Sequence, residues 1–199
     1  MKLFALALLA TSAFAGETIE AFGMKWDVPF ANEWKFEGGV LQLITPRPQQ
    51  KDPRRPVQFA LAQTANYSEL EINVEVKRNA KSMIIVYAYE KPGHFNYAHI
   101  SDDMASKQAV HNGIFHCYNG DRVRISSLAG PSTLPAQDWT PIRLKYDAKS
   151  GRVQVWADGV TSPSMIGVDL SLGAGRFGLG SFFDSGDFRN LKVTGTTLK

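Results

Sequence analysis

Apolar and polar residues alternate without interruption over residues 70–77, and no other feature restricts the fold of this chain as strongly. Successive side chains of a β-strand point to opposite faces, so this segment predicts a strand with one buried and one solvated face. The same alternation recurs over 142–146 and 152–156, with a turn-forming segment at 147–151 between them. No segment of useful length has apolar residues at helical spacing. The pattern therefore predicts an all-β fold.

Many short apolar stretches are separated by Gly, Pro and Asn, which is typical of a β-sandwich or a β-barrel. We find no internal repeat and no linker, so residues 16–199 are interpreted as one domain. The longest irregular stretch, 45–56, is interpreted as a loop that wraps a sheet edge. Further strands are predicted at 39–44, 57–62, 83–89, 95–100, 110–117, 121–126, 175–182 and 188–194.

Residues 1–15 have the three parts of a secretory signal peptide. Lys2 supplies the positive charge, an apolar run extends over 3–10, and Ala13-Phe14-Ala15 has the small-x-small pattern of a cleavage site. The apolar run is shorter than the roughly 20 residues that cross a bilayer, and no later segment is long and apolar enough. We therefore expect export, to the periplasm or out of the cell, without insertion in a membrane.

Charge, cysteine content and motifs exclude several classes of function. The formal net charge is +3, and the dense basic stretch 47–55 is interrupted by prolines, so nucleic-acid binding is not expected. Cys117 is the only cysteine and is interpreted as a buried, unreactive thiol. Residues 173–178 (GAGRFG) fit a dinucleotide-binding pattern but lead into a predicted strand instead of a helix, so that match is rejected.

The alternation also predicts which side chains point away from the core. If the predicted strands are neighbours, one outward face gathers aromatic rings, histidines, carboxylates and arginines. Rings stack on the apolar faces of sugars and charged planar groups reach sugar hydroxyls, so this mixture favours a carbohydrate site. Glu71 and Glu75 also suit ordinary cross-strand ion pairs. The outward set comprises Glu71, Asn73, Glu75, Tyr87, Tyr89, Tyr97, His99, Arg122 and Arg124, with His111 and Asn112 beginning a neighbouring strand.

Residues 139–147 (WTPIRLKYD), 151–159 (GRVQVWADG) and 188–195 (FRNLKVTG) resemble the concanavalin A-like lectin and glucanase sandwich. Within that group, 95–100 (FNYAHI), 111–115 (HNGIF) and 120–122 (GDR) resemble the 3-keto-disaccharide hydrolase family. The resemblance implies an antiparallel jelly-roll sandwich with a carbohydrate ligand on its concave sheet. The basic, proline-rich segment 46–56 departs from the family pattern. The positions that match the family are His99, His111, Asn112 and Arg122.

Three functions fit these residues. The first is an exported hydrolase that cleaves a glycosidic bond, including one in a 3-keto sugar. Its catalytic groups would be His99, His111 and Glu75, and the two histidines could instead bind a divalent metal. Its substrate-binding residues would be Tyr87, Tyr97, Asn112 and Arg122.

The second function is a non-catalytic carbohydrate-binding module that uses Tyr87, Tyr97 and Trp156. The third is a laminin G-like domain that binds protein, with calcium at Asp102 and Asp103. The metal requirement is left open by the sequence.

Residues 71–75 (EINVE) also resemble the E-x-D-x-E strand of laminarinase-type glucanases. The resemblance implies that Glu71 and Glu75 are a nucleophile and an acid/base. The two carboxyls of a retaining enzyme lie about 5–5.5 Å apart, whereas residues four apart on a straight strand are separated by roughly 13 Å. Asn73 also replaces the acidic residue between them.

Overall fold

The structure is a computed structural model that describes residues 16–101, 112–126, 138–157 and 161–198. The predicted signal peptide, His111, Asp102 and Asp103 lie outside these ranges. The described residues form fifteen β-strands and one short 3-10 turn, Ala31–Glu33, so the prediction of an all-β fold is confirmed. In these ranges we find no helix that could cross a membrane.

The strands are β1 (Glu17–Ala21), β2 (Met24–Val28), β3 (Trp34–Glu37), β4 (Val40–Leu43), β5 (Gln58–Ala62), β6 (Tyr67–Arg78), β7 (Ser82–Lys91), β8 (His94–Ser101), β9 (Gly113–Tyr118), β10 (Val123–Arg124), β11 (Thr140–Asp147), β12 (Arg152–Ala157), β13 (Met165–Val168), β14 (Arg176–Ser181) and β15 (Gly186–Thr197). An eight-stranded sheet has the order β1-β2-β5-β14-β7-β8-β9-β10. A seven-stranded sheet has the order β13-β12-β11-β6-β15-β4-β3. All the strand pairs are antiparallel.

The alternating segment that indicated the fold lies inside β6, between β11 and β15. Ile72, Val74 and Val76 are buried between the sheets, and Glu71 and Glu75 point the other way, as predicted. The predicted turn after β11 is held by Asp147, which accepts hydrogen bonds from the backbone N–H of Lys149 (2.9 Å) and the hydroxyl of Ser150 (2.7 Å). Local side-chain hydrogen bonds of this kind are what make such residues turn formers.

The strands that the sequence pattern did not indicate are short, and all lie at or near the sheet ends. They are β1, β2, β3 and β13, and β1 and β3 bury only one residue each. A hairpin turn joins β1 to β2 through Phe22 (φ 54°) and Gly23 (φ 73°), both in the left-handed region. Hairpin turns of this hand usually carry Asn-Gly. Because Phe22 occupies the position where Asn is usual, this hairpin turn was not predicted from the sequence.

Tyr87 lies on the inner side of β7, in phase with Met83 and Ile85, and a β-bulge follows it. Residues Arg176 and Gly178 of β14 pair with Tyr89 and Val86, so β7 has one extra residue there, and Ala88 has φ 49°. Tyr87 and Ala88 both pack between the sheets, where the Tyr87 ring lies 4.9 Å from that of Tyr146. The prediction that Tyr87 points outward as a sugar contact is therefore wrong.

Candidate functional site

A second hydrophobic cluster covers the outer face of the eight-stranded sheet, which points away from the seven-stranded sheet. In β7, Met83 and Ile85 belong to the core between the sheets, whereas Ile84 and Val86 belong to this outer cluster. An antiparallel sheet packed on one side commonly carries polar residues on the other, so an apolar outer face requires an explanation. We call it the aromatic face, after its buried rings Phe59, Tyr89, Phe95, Tyr97, Phe115 and Phe182.

Tyr97 and His99 lie on the aromatic face, the side of β8 that the alternation predicted. The expectation of a wet, polar face is wrong, however, because His99 is only 2% exposed and Tyr97 is fully buried. The His99 ring lies 5.7 Å from the ring of Phe182 and 6.1 Å from that of Phe115. Large rings from β9 and from the end of β14 thus enclose both side chains.

Arg122 stacks on the aromatic face. Its Cζ lies 4.6 Å from the ring centre of Phe115 and 4.7 Å from that of Phe182. Its Nη1 donates a hydrogen bond to the hydroxyl of Tyr97 (3.4 Å). Burial raises the pKa of Tyr97 far above its usual value, against the opposing charge of Arg122, so the hydroxyl stays neutral. Two rings and a hydroxyl therefore fix the guanidinium in one orientation.

Asn112 lies at the start of β9, next to Gly113, which pairs with His99. Its side-chain oxygen accepts a hydrogen bond from the backbone N–H of Ser101 (3.3 Å), and its carbonyl accepts one from Arg124 (2.6 Å). These contacts connect β8, β9 and β10. The structure thus brings Tyr97, His99, Asn112 and Arg122 to the same sheet. His111, the remaining predicted histidine, lies outside the described residues.

The proline-rich segment reaches this site. The backbone N–H of Arg54 donates to the carboxylate of Asp121 (2.6 Å), and the carbonyl of Arg54 accepts a hydrogen bond from the backbone N–H of Arg122 (3.0 Å). Arg55 packs against Gly93 in the turn between β7 and β8. The sequence predicted a loop at a sheet edge. Alternation of apolar and polar residues identifies strands only, so it could not predict which part of the sheet this irregular segment contacts.

Asp184 is a titratable group near the aromatic face that the sequence reasoning missed. It comes two residues after Phe182, and its Oδ2 accepts hydrogen bonds from the backbone N–H (2.9 Å) and the hydroxyl (3.0 Å) of Ser82. Burial raises the pKa of this carboxyl above its ordinary value, although the Ser82 hydrogen bonds oppose the shift. The one available signal was a polar turn directly after the apolar 177–183 stretch.

Glu75 lies on the other sheet, so it cannot share a pocket with His99. The sequence pattern fixed its direction from β6 but not which sheet contains β6, and the grouping of Glu75 with the histidines is wrong for that reason. Its carboxylate accepts hydrogen bonds from Asn190 (2.8 Å) and Arg189 (2.7 Å). Those hydrogen bonds hold the pKa of Glu75 below its ordinary value.

Paired charges cover this outer face of the seven-stranded sheet, which we call the charged face: Glu71, Glu75, Arg143, Lys145 and Arg189. Glu71 binds Arg143 (2.7 Å) and Lys145 (3.0 Å). Burial raises its pKa, but hydrogen bonds from Lys145 and Arg143 outweigh that effect and leave the pKa lowered. Both glutamates are therefore ionised and bound to different cations, which does not fit a glucanase acid/base pair.

Two tryptophans lie beside the charged face. Arg143 stacks over Trp156 with its Cζ 4.9 Å from the ring centre, and Arg189 over Trp139 at 4.1 Å. A groove of about 720 Å³ runs past Glu75, Arg143 and Trp156. Two of the charges that line it, Glu75 and Arg143, are held in ion pairs with Arg189 and Glu71.

The other described histidines have local partners. His116 Nδ1 lies 2.8 Å from the side-chain oxygen of Asn96 and 2.9 Å from the carboxylate of Asp169.

Burial raises the pKa of the Cys117 thiol to about 12, which agrees with an unreactive cysteine. Among the described residues, no three His, Cys, Asp or Glu side chains are grouped as metal ligands.

Comparisons with known proteins find similarity in structure. No protein-family model and no curated protein sequence matches the chain. The carbohydrate-binding module CBM66 from Bacillus subtilis is 13% identical, with 92% of this chain and 93% of that chain covered and a TM-score of 0.55. A Parabacteroides distasonis protein, provisionally assigned as a glycosyl hydrolase, is 16% identical, with coverage of 83% and 91% and a TM-score of 0.54.

The winged bean acidic lectin is 10% identical, with 84% of this chain and 91% of that chain covered and a TM-score of 0.52. With the two antiparallel sheets, these similarities show that the chain has the concanavalin A-like sandwich fold, as predicted. At such identities they concern the fold alone.

Proposed function

We propose that this protein binds carbohydrate at its aromatic face. The predicted signal peptide would export the protein, so binding would take place outside the cytoplasm. The observation that carries the proposal is the half-buried Arg122, which is held by Phe115, Phe182 and the hydroxyl of Tyr97 on the outer side of a sheet. Ligand sites combine apolar and aromatic walls with a few fixed polar groups. The aromatic face has that composition.

Arg122 is suited to hold sugar hydroxyls. Within the described part of the chain, the 3.4 Å contact with Tyr97 is its only side-chain hydrogen bond, so most of its N–H donors remain available. Because Phe115 and Phe182 fix the guanidinium, little side-chain entropy would be lost on binding. Two structural neighbours support the ligand class: one is a carbohydrate-binding module, and the winged bean lectin was solved with methyl-α-D-galactose.

The test is calorimetric titration with neutral and acidic oligosaccharides. Arg122→Gln should weaken binding roughly ten- to a hundredfold, which is the value of hydrogen bonds from a charged group. Trp156→Ala, on the charged face, is the matched control and should leave affinity unchanged. Loss of binding in Trp156→Ala alone would place the ligand on the wrong face for this proposal, and no binding across the panel would reject it.

A second candidate function is hydrolysis of a glycosidic bond, including one in an oxidised sugar. It is favoured by His99 and Arg122, which both contact the ring of Phe182, and by the raised pKa of Asp184, since glycosidases need a carboxyl that stays protonated. His111 would join His99 as an acid/base group. We place binding before hydrolysis because His99 is buried, and an acid/base group must reach the scissile oxygen.

Product analysis separates the two functions. A hydrolase should release sugar from a bound oligosaccharide over a long incubation, and His99→Ala should abolish release while binding persists. Binding without any product would leave the protein as a binding module and rule out the second candidate.

A further inference from the structure

Three arginines at the aromatic face have no acidic partner among the described residues. Arg54, Arg55 and Arg122 form no ion pair with a carboxylate among the residues described. Arg47 of the same proline-rich segment pairs with Glu33, and Arg143 on the charged face pairs with Glu71. Three arginines without a described carboxylate partner are thus found at one place.

The three arginines surround the same part of the sheet. Arg54 and Arg122 are joined through their backbones by the 3.0 Å hydrogen bond. Both act on Tyr97, and Arg55 and Arg122 both act on Cys117, in each case lowering a pKa that burial raises. Asp121 is the nearby carboxylate, but its described hydrogen bond goes to the backbone of Arg54. Like charges held this close repel one another unless an anion joins them.

Arg55 provides a second, independent observation. Its Nη1 is buried and has no hydrogen-bond partner. The guanidinium packs so closely on Gly93 that a Cβ there would lie 2.7 Å from Nη1. A buried charged donor without an acceptor is costly and uncommon in folded proteins. Arg55 therefore holds positive charge at this turn that no described carboxylate neutralises.

We propose that Arg54, Arg55 and Arg122 bind the anionic group of an acidic sugar, a carboxylate or a sulfate, at the aromatic face. The inference rests on the proposed function, because it takes this face as the sugar site. Guanidinium groups bind such oxyanions through paired, charge-assisted hydrogen bonds. Two of the three arginines come from the segment that departs from the family pattern, so that segment would set the ligand class.

The test compares oligogalacturonates with their methyl esters, which keep the sugar rings but lose the charge. The acid should bind roughly ten- to a hundredfold more tightly than the ester. This preference should shrink as salt is added, because Arg54 is exposed and its charge is screened. Sulfated galactose oligomers form a separate arm that distinguishes sulfate from carboxylate.

Variants locate the anion. Arg55→Gln and Arg54→Gln should each reduce the affinity for the acid towards that of the ester and leave ester binding unchanged. Arg143→Gln is the matched control, since Arg143 is also stacked on a ring but is paired with Glu71. It should change neither affinity. If Arg55→Gln does not fold, Arg54→Gln decides the question, because its side chain is exposed.

The outcomes distinguish this inference from the function on which it rests. Equal affinity for acid and ester, with Arg122→Gln still weakening both, would overturn the inference and retain sugar binding. An acid preference that survives in Arg54→Gln and Arg55→Gln would also overturn it. Failure to bind the acid, the ester and the sulfated sugar would overturn both.

Discussion

The two outer faces of this sandwich differ in how their charged side chains are paired. On the charged face, Glu71 and Glu75 are each held by basic residues of neighbouring strands, and every one of these charges has a partner. On the aromatic face the rings are buried, and Arg54, Arg55 and Arg122 have no ion pair with a carboxylate in the described part of the chain. This contrast in charge pairing is why we propose a ligand at the aromatic face and none at the charged face.

The faces also differ in what they contribute to stability. Exposed ion pairs contribute about 0.2–1 kcal/mol each, whereas a buried aromatic ring contributes several times more. The aromatic face therefore serves as a second core in addition to carrying the proposed site. Variants can separate these roles.

The largest effect is expected at the centre of the aromatic face. Phe115 is 3% exposed, stacks on Tyr97 at 5.3 Å and supports Arg122. Phe115→Ala should lower the free energy of unfolding by about 3–5 kcal/mol, measured by urea denaturation. Trp156→Ala, which removes a half-buried ring from the charged face, should cost less. A loss below about 1 kcal/mol for Phe115→Ala would contradict the description of this face as a second core.

The next effect tests the turn that accommodates Arg55. Gly93 has φ 79°, so Gly93→Ala should cost about 1–2 kcal/mol through backbone strain alone. Its Cβ would also displace the Arg55 guanidinium and weaken binding of an acidic sugar. Gly23→Ala is the control, since Gly23 has φ 73° but nothing within 4 Å of an added Cβ. Equal stability losses and unchanged sugar affinity would contradict the packing of Arg55 on Gly93.

A smaller effect is expected from Asp184 and appears as a pH dependence. Burial raises its pKa, so the folded protein holds this proton more tightly than the unfolded chain. Its contribution is greatest below pH 3.8, the ordinary pKa, and is lost as the pH rises through the folded-state pKa. Asp184→Asn should therefore flatten the decline of stability with rising pH, as seen in thermal unfolding at a series of pH values. An unchanged slope would show that this carboxyl is not desolvated.

The smallest effect, on the charged face, has the opposite sign with pH. The pKa of Glu75 is lowered by Asn190 and Arg189, so its stabilisation is present above pH 4.5 and is lost as the pH falls through the folded-state pKa. Glu75→Gln should cost about 0.2–1 kcal/mol at neutral pH. Added salt should reduce the difference from the parent protein. A loss of several kcal/mol, or any loss of sugar binding, would mean that this face does more than pair charges.

Alternation predicted the elements well because it reports a local property, the side of the strand on which a residue lies. It placed Ile72 inside, Glu75 outside, and Tyr97 and His99 on the outer side of β8. Whether two outward sides belong to one sheet depends on strand order, which is non-local. Glu75 and His99 were grouped for that reason, although they lie on different sheets.

The remaining differences have physical causes that alternation along one strand does not report. Both rows of β7 are apolar, so alternation could not show that Tyr87 lies on the inner side with Ile85. The burial of His99 depends on Phe182, which is far away in sequence. The role of Arg55 depends on where a loop docks. The proposed catalytic part of His111 stays a prediction.

The bulge at Ala88 has a consequence for how the chain folds. Sliding β7 by one residue against β14 would exchange the two rows of side chains and bring Ile84 inward and Ile85 outward. Such a slip is hard to detect locally, because both rows of this strand are apolar. The left-handed Ala88 fits against Gly175, where a Cβ would lie 2.5 Å from the Ala88 carbonyl carbon, and only one alignment brings these residues together. We therefore expect the bulge to favour the native register of β7 over mispaired registers, which would leave strand edges free to associate.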